Sequence, residues 1–259
     1  MTGRLAGKVC AITGATGIAE AAAVMFAAEG ASLFVASLRE HECEALAALL
    51  GPDVSFEWVA TDLSEESEAE RAFALCREKY GRLDATFASA GGSGRTFGDG
   101  SIHLTSMKSF NDTVALNLHT SFLTARESLK IMLDQAQGGS IVFVSSVAAT
   151  NPVPGTFDTI AYAAAKGGIN SMTLHGASHY GPSGVRFNTI APALTLTPMA
   201  KRAASDPDTI DVMKTRMGLT GGGPLSADDH ANLALFLCSD ESRHITGQII
   251  RVDGGWGVS

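Results

Sequence analysis

The chain has 259 residues, 45% apolar and 18% charged, with 19 Lys and Arg against 27 Asp and Glu for a formal charge of -8. That length and composition suit one large α/β domain with a sizeable core and exclude a disordered chain. An acidic balance without basic clusters speaks against nucleic acid or anionic membrane as partners. Cys10, Cys43, Cys76 and Cys238 are far apart and form no C-x-x-C pair, which argues against a zinc ribbon or a disulfide framework. No apolar stretch approaches the ~20 residues of a membrane span. The opening "MTGRLAGKVCAITG" runs toward an apolar strand without the charged-then-apolar layout of a signal peptide, so a soluble, cytoplasmic protein with reduced thiols is expected.

Apolar runs of strand length alternate with helical patterns. Strands are predicted at 8–13, 32–37, 55–60, 83–89, 140–146, 185–190 and 248–253. Helices are predicted near 18–29, 40–50, 64–80, 105–135, 157–180 and 226–239. The alternation predicts βαβ units and a parallel sheet covered on both faces. With no repeat and no linker, the whole chain, 1–259, reads as a single domain. Two stretches read as long loops, 91–103 and 193–223. Both follow predicted strands, and ligands of open α/β sheets sit beyond the strands' carboxyl ends. The second is expected to act as a substrate lid.

The first strand ends in Thr13-Gly14, and Gly17 opens a helix. Such a turn either aims backbone N–H groups at a phosphate or is simply a tight βα turn. Tyr162 and Lys166 are four apart in "AYAAAKGG", on one helix face. An ammonium near a phenol lowers its pKa from ~10 toward general acid–base range; the plainer alternative is an exposed helix pair. Ser145 and Ser146 end the strand "SIVFVSS", where a hydroxyl can reach a substrate oxygen. Asn117 is a polar residue at an otherwise apolar position of "TVALNLHTSF".

These pieces, taken in order, resemble the short-chain dehydrogenase/reductase family from about Lys8 to Gly255. They are the Gly-rich turn, Asp62-Leu63, Ala90-Gly91, Asn117, the Ser-Ser strand end and Tyr162-x-x-x-Lys166, followed by "NTIAPALTLTPM" and "TGQIIRVDGG". The resemblance implies a Rossmann-type domain with a seven-stranded parallel sheet in the order 3-2-1-4-5-6-7. It also implies a nicotinamide cofactor and hydride transfer to or from a carbonyl/alcohol carbon of a small to medium, mostly apolar substrate. Tyr162 would be the acid–base, Lys166 would depress its pKa and hold the nicotinamide ribose, Ser146 would polarise the substrate oxygen, and Asn117 would support a proton relay behind Lys166. Cofactor contacts are implied for Thr13, Gly14, Thr16, Gly17 and Ile18 in the turn, and for Ser37 and Arg39 after the second strand. Further contacts are implied for Asp62 and Leu63 near the adenine, for Ser89, Ala90 and Gly91, for Tyr162 and Lys166, and for Pro192, Thr195 and Thr197. No metal is expected. A homotetramer, or a homodimer, built on the 105–135 and 157–180 helices and the C-terminal strand is implied as well.

The chain departs from the family pattern in several places. Its phosphate turn is one residue shorter than T-G-x-x-x-G-x-G, with Ala19 at the third glycine, where alanine still permits close helix–strand packing. Ser89 replaces the usual Asn and is expected to keep a polar group near the adenosine. Ala193 stands where Pro-Gly is expected. Ser146 and Tyr162 are sixteen apart, a wider interval than usual, and the extra residues within 151–160 are expected to bulge from the loop rim. Ser37 occupies the position where NAD-preferring members carry an acid, and Arg39 either pairs with a 2′-phosphate or is a solvated helix-start charge. NADP(H) is therefore favoured and NAD(H) possible, although the Gly-rich turn lacks the basic residue of many NADP-dependent members.

Two rival readings stand: a dinucleotide-binding regulatory module without turnover, and an enoyl reductase, which would need a wider Tyr–Lys spacing. His175 and His179 have a zinc-like i, i+4 spacing but lack a third ligand nearby, so surface or interface histidines are expected. The sequon at 111–113 falls in a predicted helix and is set aside. The run 64–70 reads as a Ser64 N-cap with an acidic first turn. Met199, Met213 and Met217 either touch substrate or fill core gaps.

Overall fold

A computed structural model describes residues 3–153 and 157–259. Seven strands form one parallel sheet in the order β3-β2-β1-β4-β5-β6-β7, the order implied by the family resemblance. The strands are β1 (Val9–Thr13), β2 (Ser32–Ser37), β3 (Phe56–Ala60), β4 (Ala85–Ala88), β5 (Gly139–Val144), β6 (Val185–Pro192) and β7 (Gln248–Val252). The chain turns back at the β1/β4 junction, where Thr13 pairs with Ala36 on one side and Ala88 on the other. A crevice opens at such a switch point.

Alternation along the strands sorts side chains to two cores. Cys10, Ile12, Leu33 and Val35 face α1 (Ile18–Ala28), α2 (Glu40–Leu50) and α9 (Ala227–Cys238), together with the fully buried Phe26. Val9, Ala11 and Phe34 face α3 (Glu66–Tyr80), α5 (Thr120–Gln135) and α6 (Ile160–Tyr180). Each fully buried Phe contributes roughly 2–3 kcal/mol of transfer free energy.

Three predicted elements are corrected. The helix expected over 105–135 is α4 (Met107–Val114), a π-helical turn at Ala115–His119, then α5; the extra residue of that turn carries Asn117. The stretch 193–223 is not a plain loop. It contains α7 (Lys201–Ala204) and α8 (Pro207–Arg216), the latter capped by Asp206, whose side chain accepts from the Thr209 N–H at 3.2 Å. Ile210, Met213 and Met217 recur at helical spacing and pack with Trp256, Leu225 and Val147 in a third, small core beyond the strand ends. Short length and Gly-, Thr-rich flanks mask that period. At α3, Ser64 is not the cap: its hydroxyl bonds Asp62 Oδ1 at 2.7 Å, and the helix starts after Glu65. All four cysteines are free and buried. Among the described residues there is no helix long and apolar enough to cross a membrane and no cluster of three metal-ligating side chains. The extra 151–160 residues include 154–156, which lie outside the described residues.

Candidate active site at the carboxyl edge of the sheet

The β1–α1 turn uses its two glycines for a conformational reason: Gly14 has φ +91° and Gly17 φ +60° with ψ -120°, which other residues adopt only under strain. Helix α1 begins at Ile18 with no side-chain cap, so its first amides remain available to a ligand. Thr16 is exposed beside them. A Cβ on Gly17 would lie 3.0 Å from Thr197 Cγ2, which shows how closely the post-β6 loop approaches the turn. Ala19 is buried in the core, its methyl 3.4 Å from where a Gly14 Cβ would project. This open, uncapped cradle fits a dinucleotide phosphate.

Thr13 and Ser89 lock β1 to β4. The Ser89 hydroxyl donates to Thr13 O at 2.7 Å, and the Ala90 N–H donates to Thr13 Oγ1 at 3.1 Å. Ser89 thus spends its hydroxyl on the strand junction. Ser37 is buried at the end of β2, while Arg39 is 64% exposed and reaches Glu42 at 3.4 Å. Asp62 is exposed next to Leu63, whose side chain is in the core. Pro192 ends β6 opposite Val252.

The four chemically loaded residues converge. Lys166 is 3% exposed, donates to Val144 O at 2.8 Å, and holds Nζ 5.5 Å from the centroid of the Tyr162 ring. Asn117 is fully buried. Its Oδ1 accepts from the Gly92 N–H at 3.1 Å, and its Nδ2 donates to the carbonyls of Gly92 and Thr113. A Cβ on Gly91 would fall 2.7 Å from Asn117 Oδ1 and 3.4 Å from Lys166 Nζ, so Gly91 lies between them. Of the two serines, Ser145 is structural, donating to Lys166 O at 3.0 Å. Ser146 hydrogen-bonds the Tyr162 phenol.

Burial pushes the Tyr162 phenol above its ordinary value, and the Ser146 hydrogen bond partly offsets this. Lys166 lies over the ring face with Nζ tied to Val144 O, so the expected lowering by its charge does not dominate. Burial also brings the Lys166 ammonium down to about 8.

Three participants escaped the sequence reading. The Asp99 carboxylate, 5% exposed, accepts from the Ala161 and Tyr162 N–H groups at 3.0 Å each. His230, fully buried on α9, contacts Thr195 Oγ1 through Nε2 at 2.7 Å. Because Thr195 donates its hydroxyl hydrogen to Ala193 O, His230 Nε2 is the donor to Thr195, and Nδ1 is an unpartnered acceptor. Thr195 was expected to meet the cofactor, but its hydroxyl is turned inward. The third is the structural role of Ser145, which was expected with Ser146 to offer a hydroxyl to a substrate oxygen and instead ties β5 to Lys166 O. Met213 and Met217 are core residues, whereas Met199 is exposed, with its sulfur 3.7 Å from a Gly92 Cβ position. Asp99 and His230 act through chain-distant contacts that leave no local signature.

A family model described as "Enoyl-(Acyl carrier protein) reductase" matches residues 13–257. Momilactone A synthase of Oryza sativa subsp. japonica is 35% identical over 258 residues, covering 98% of this chain and 92% of that protein. Short-chain dehydrogenase reductase 3a of Arabidopsis thaliana is 31% identical, covering 98% and 97%. The chain belongs to the short-chain dehydrogenase/reductase family. Carveol dehydrogenase from Mycobacterium avium, solved in complex with NAD, superposes with a TM-score of 0.91 at 29% identity, covering 100% of both chains. As a short-chain dehydrogenase/reductase, the chain is a nicotinamide-dependent oxidoreductase of carbonyl and alcohol groups.

Proposed function

We propose that this enzyme, acting as one catalytic domain over its whole length, interconverts a small to medium, mostly apolar carbonyl compound and its alcohol, with NADP(H) favoured over NAD(H). The observation that carries this reading is the convergence of Tyr162, Ser146, Lys166 and Asn117 beside Gly91. The nicotinamide supplies the hydride chemistry, and the protein contributes position and protons. Thr13, Gly14, Thr16, Gly17 and Ile18 would hold the phosphates; Asp62, Leu63, Ser89, Ala90 and Gly91 would flank the adenosine side; Lys166 would hold the ribose. Pro192 and Thr197 would line the nicotinamide end, and Thr195 would support that loop from beneath.

In the reduction direction, Ser146 orients the substrate carbonyl oxygen by hydrogen bonding, and Tyr162 Oη donates its proton to that oxygen. The Lys166 ammonium, within reach of the ring, stabilises the phenolate left behind, and Asn117 holds the polar path through which the proton is restored. A phenol raised by burial stays protonated at neutral pH and so has a proton to give, and the nearby cation lowers the cost of its ionisation during turnover. The four-residue Tyr–Lys spacing supports carbonyl rather than enoyl chemistry. Met199 and Leu116 close on Gly92 and favour an apolar substrate. Ser37 in place of an acid and the exposed Arg39 support NADP(H).

A groove of about 480 Å³ along α5 and α6, flanked by the half-exposed Phe122 and lined by Leu129 and Met172, supports a homotetramer or homodimer. Four unpaired cysteines suit a reducing, cytoplasmic setting. Fluorescence titration with NADPH and NADH in parallel tests the cofactor assignment, with tighter NADPH binding expected. Tyr162→Phe should abolish turnover on a panel of apolar cyclic alcohols while cofactor affinity stays nearly unchanged. A variant that kept most of its activity would overturn the catalytic assignment.

A further inference from the structure

A helix leaves its first N–H groups without intrahelical partners, and a residue just before the helix usually supplies the cap. Helix α6 has no local side-chain cap at Thr159. Three successive amides of its first turn are instead taken by a segment sixty residues earlier. The Ile160 N–H donates to Gly100 O at 3.1 Å, Ala161 to Asp99 Oδ1 and Tyr162 to Asp99 Oδ2. A carboxylate at a helix N-terminus, buried and bonded by two amides, is a stronger tie than a hydroxyl cap.

The same segment is clamped at its other end. Gly92 exchanges two hydrogen bonds with the Asn117 side chain. Between the clamps, Gly94 packs so closely on α4 that a Cβ there would sit 2.1 Å from Thr113 Oγ1, and the Gly94 carbonyl accepts from the Asp99 N–H at 3.0 Å. The stretch 92–100 is therefore a short brace between the π-helical turn that carries Asn117 and the helix that carries Tyr162 and Lys166.

We propose that Asp99 is a positioning residue for the reaction: by capping α6 from the post-β4 loop it holds the Tyr162 phenol in register with Asn117 and Ser146. This rests on the catalytic assignment made above. Near-attack geometry is demanding, and a displacement of about 1 Å can lower turnover ~100-fold. Asp99→Asn preserves shape but turns an N–H donor toward an amide that is itself a donor. Asp99→Ser retains a single short acceptor and serves if the first variant does not fold. Asp84→Asn is the control, since Asp84 accepts from the Val9 N–H at 2.8 Å at the amino-terminal ends of the central strands, opposite the candidate active site.

The test is amide hydrogen exchange on the full-length chain, with turnover of an apolar cyclic alcohol measured on the same preparations. In Asp99→Asn, exchange at residues 160–162 should rise ~10-fold or more and kcat should fall ~10–100-fold, with the cofactor KM within ~2-fold of the parent. Asp84→Asn should change neither. Unchanged exchange at 160–162 would refute the cap, and faster exchange with unchanged kcat would refute the positioning role. If Tyr162→Phe keeps its turnover, it is the catalytic assignment that falls, and the exchange result still decides the cap.

Discussion

His230 gives a stability prediction with a defined pH signature. Its ring is fully buried, donates only to Thr195 Oγ1, and leaves Nδ1 without a partner. Burial brings its pKa from the ordinary 6.5 down to about 4, with Asp229 opposing weakly. Between those two values the unfolded chain binds a proton that the native ring refuses. Stability therefore rises with pH across that window and is lost as pH falls through it. A tenfold change in proton affinity is 1.36 kcal/mol, so roughly 3 kcal/mol should disappear between pH ~6.5 and ~4. Above pH ~6.5 the ring contributes no pH dependence.

A second perturbation isolates the hydrogen bond. Thr195→Val keeps the volume but removes the acceptor for Nε2–H, leaving the ring without any partner, which costs ~1–3 kcal/mol. In a His230→Leu background the same change should cost far less, because no donor is then orphaned. Urea unfolding followed by circular dichroism, at fixed protein concentration, measures both. The expected coupling is above ~1 kcal/mol, with a flattened acid limb in His230→Leu. A coupling below ~0.5 kcal/mol, or an acid limb unchanged by His230→Leu, would refute the reasoning.

Lys166 should show a trade-off between folding and function. Its depressed pKa means that the native state holds a buried ammonium at neutral pH at a cost that disappears as pH rises from about 8 to 10.5. Lys166→Met should raise the melting temperature at pH 7 while removing turnover, although the loss of its bond to Val144 O limits the gain to ~1–2 kcal/mol; thermal melts and a rate assay decide. Arg39→Ala should weaken NADPH binding ~10–100-fold, the worth of one charge-assisted hydrogen bond, and leave NADH affinity unchanged. Equal losses for both cofactors would remove Arg39 as a 2′-phosphate partner.

Much of the architecture was legible because it rests on local periodicity. The nearly unbroken apolar runs at 8–13 and 32–37, buried on both faces, the positive-φ glycines 14 and 17, and the four-residue spacing of Tyr162 and Lys166 are written in short windows of chain. Those windows placed all seven strands to within a few residues and brought the proposed catalytic residues to one edge. What the windows hid were interactions with no local period. The π-helical turn at Asn117 looks like ordinary helix in sequence, since one added residue only rotates the face that follows. Helix α8 was masked by its Gly- and Thr-rich flanks, and its Met213 and Met217 acquire meaning only against Trp256.

Composition, spacing and motif order by themselves determined a parallel α/β sheet, a glycine-bearing β1–α1 turn and a phenol–ammonium pair, because backbone geometry converts those spacings directly into faces and ends. Only the tertiary structure decided that Ser89 ties β1 to β4, that Thr195 turns inward to His230, and that Asp99 caps the helix bearing Tyr162. Each of these is a buried or part-buried polar group whose partner lies more than thirty residues away. Burial obliges such groups to find a partner, but the chain closes on itself before the partner is chosen.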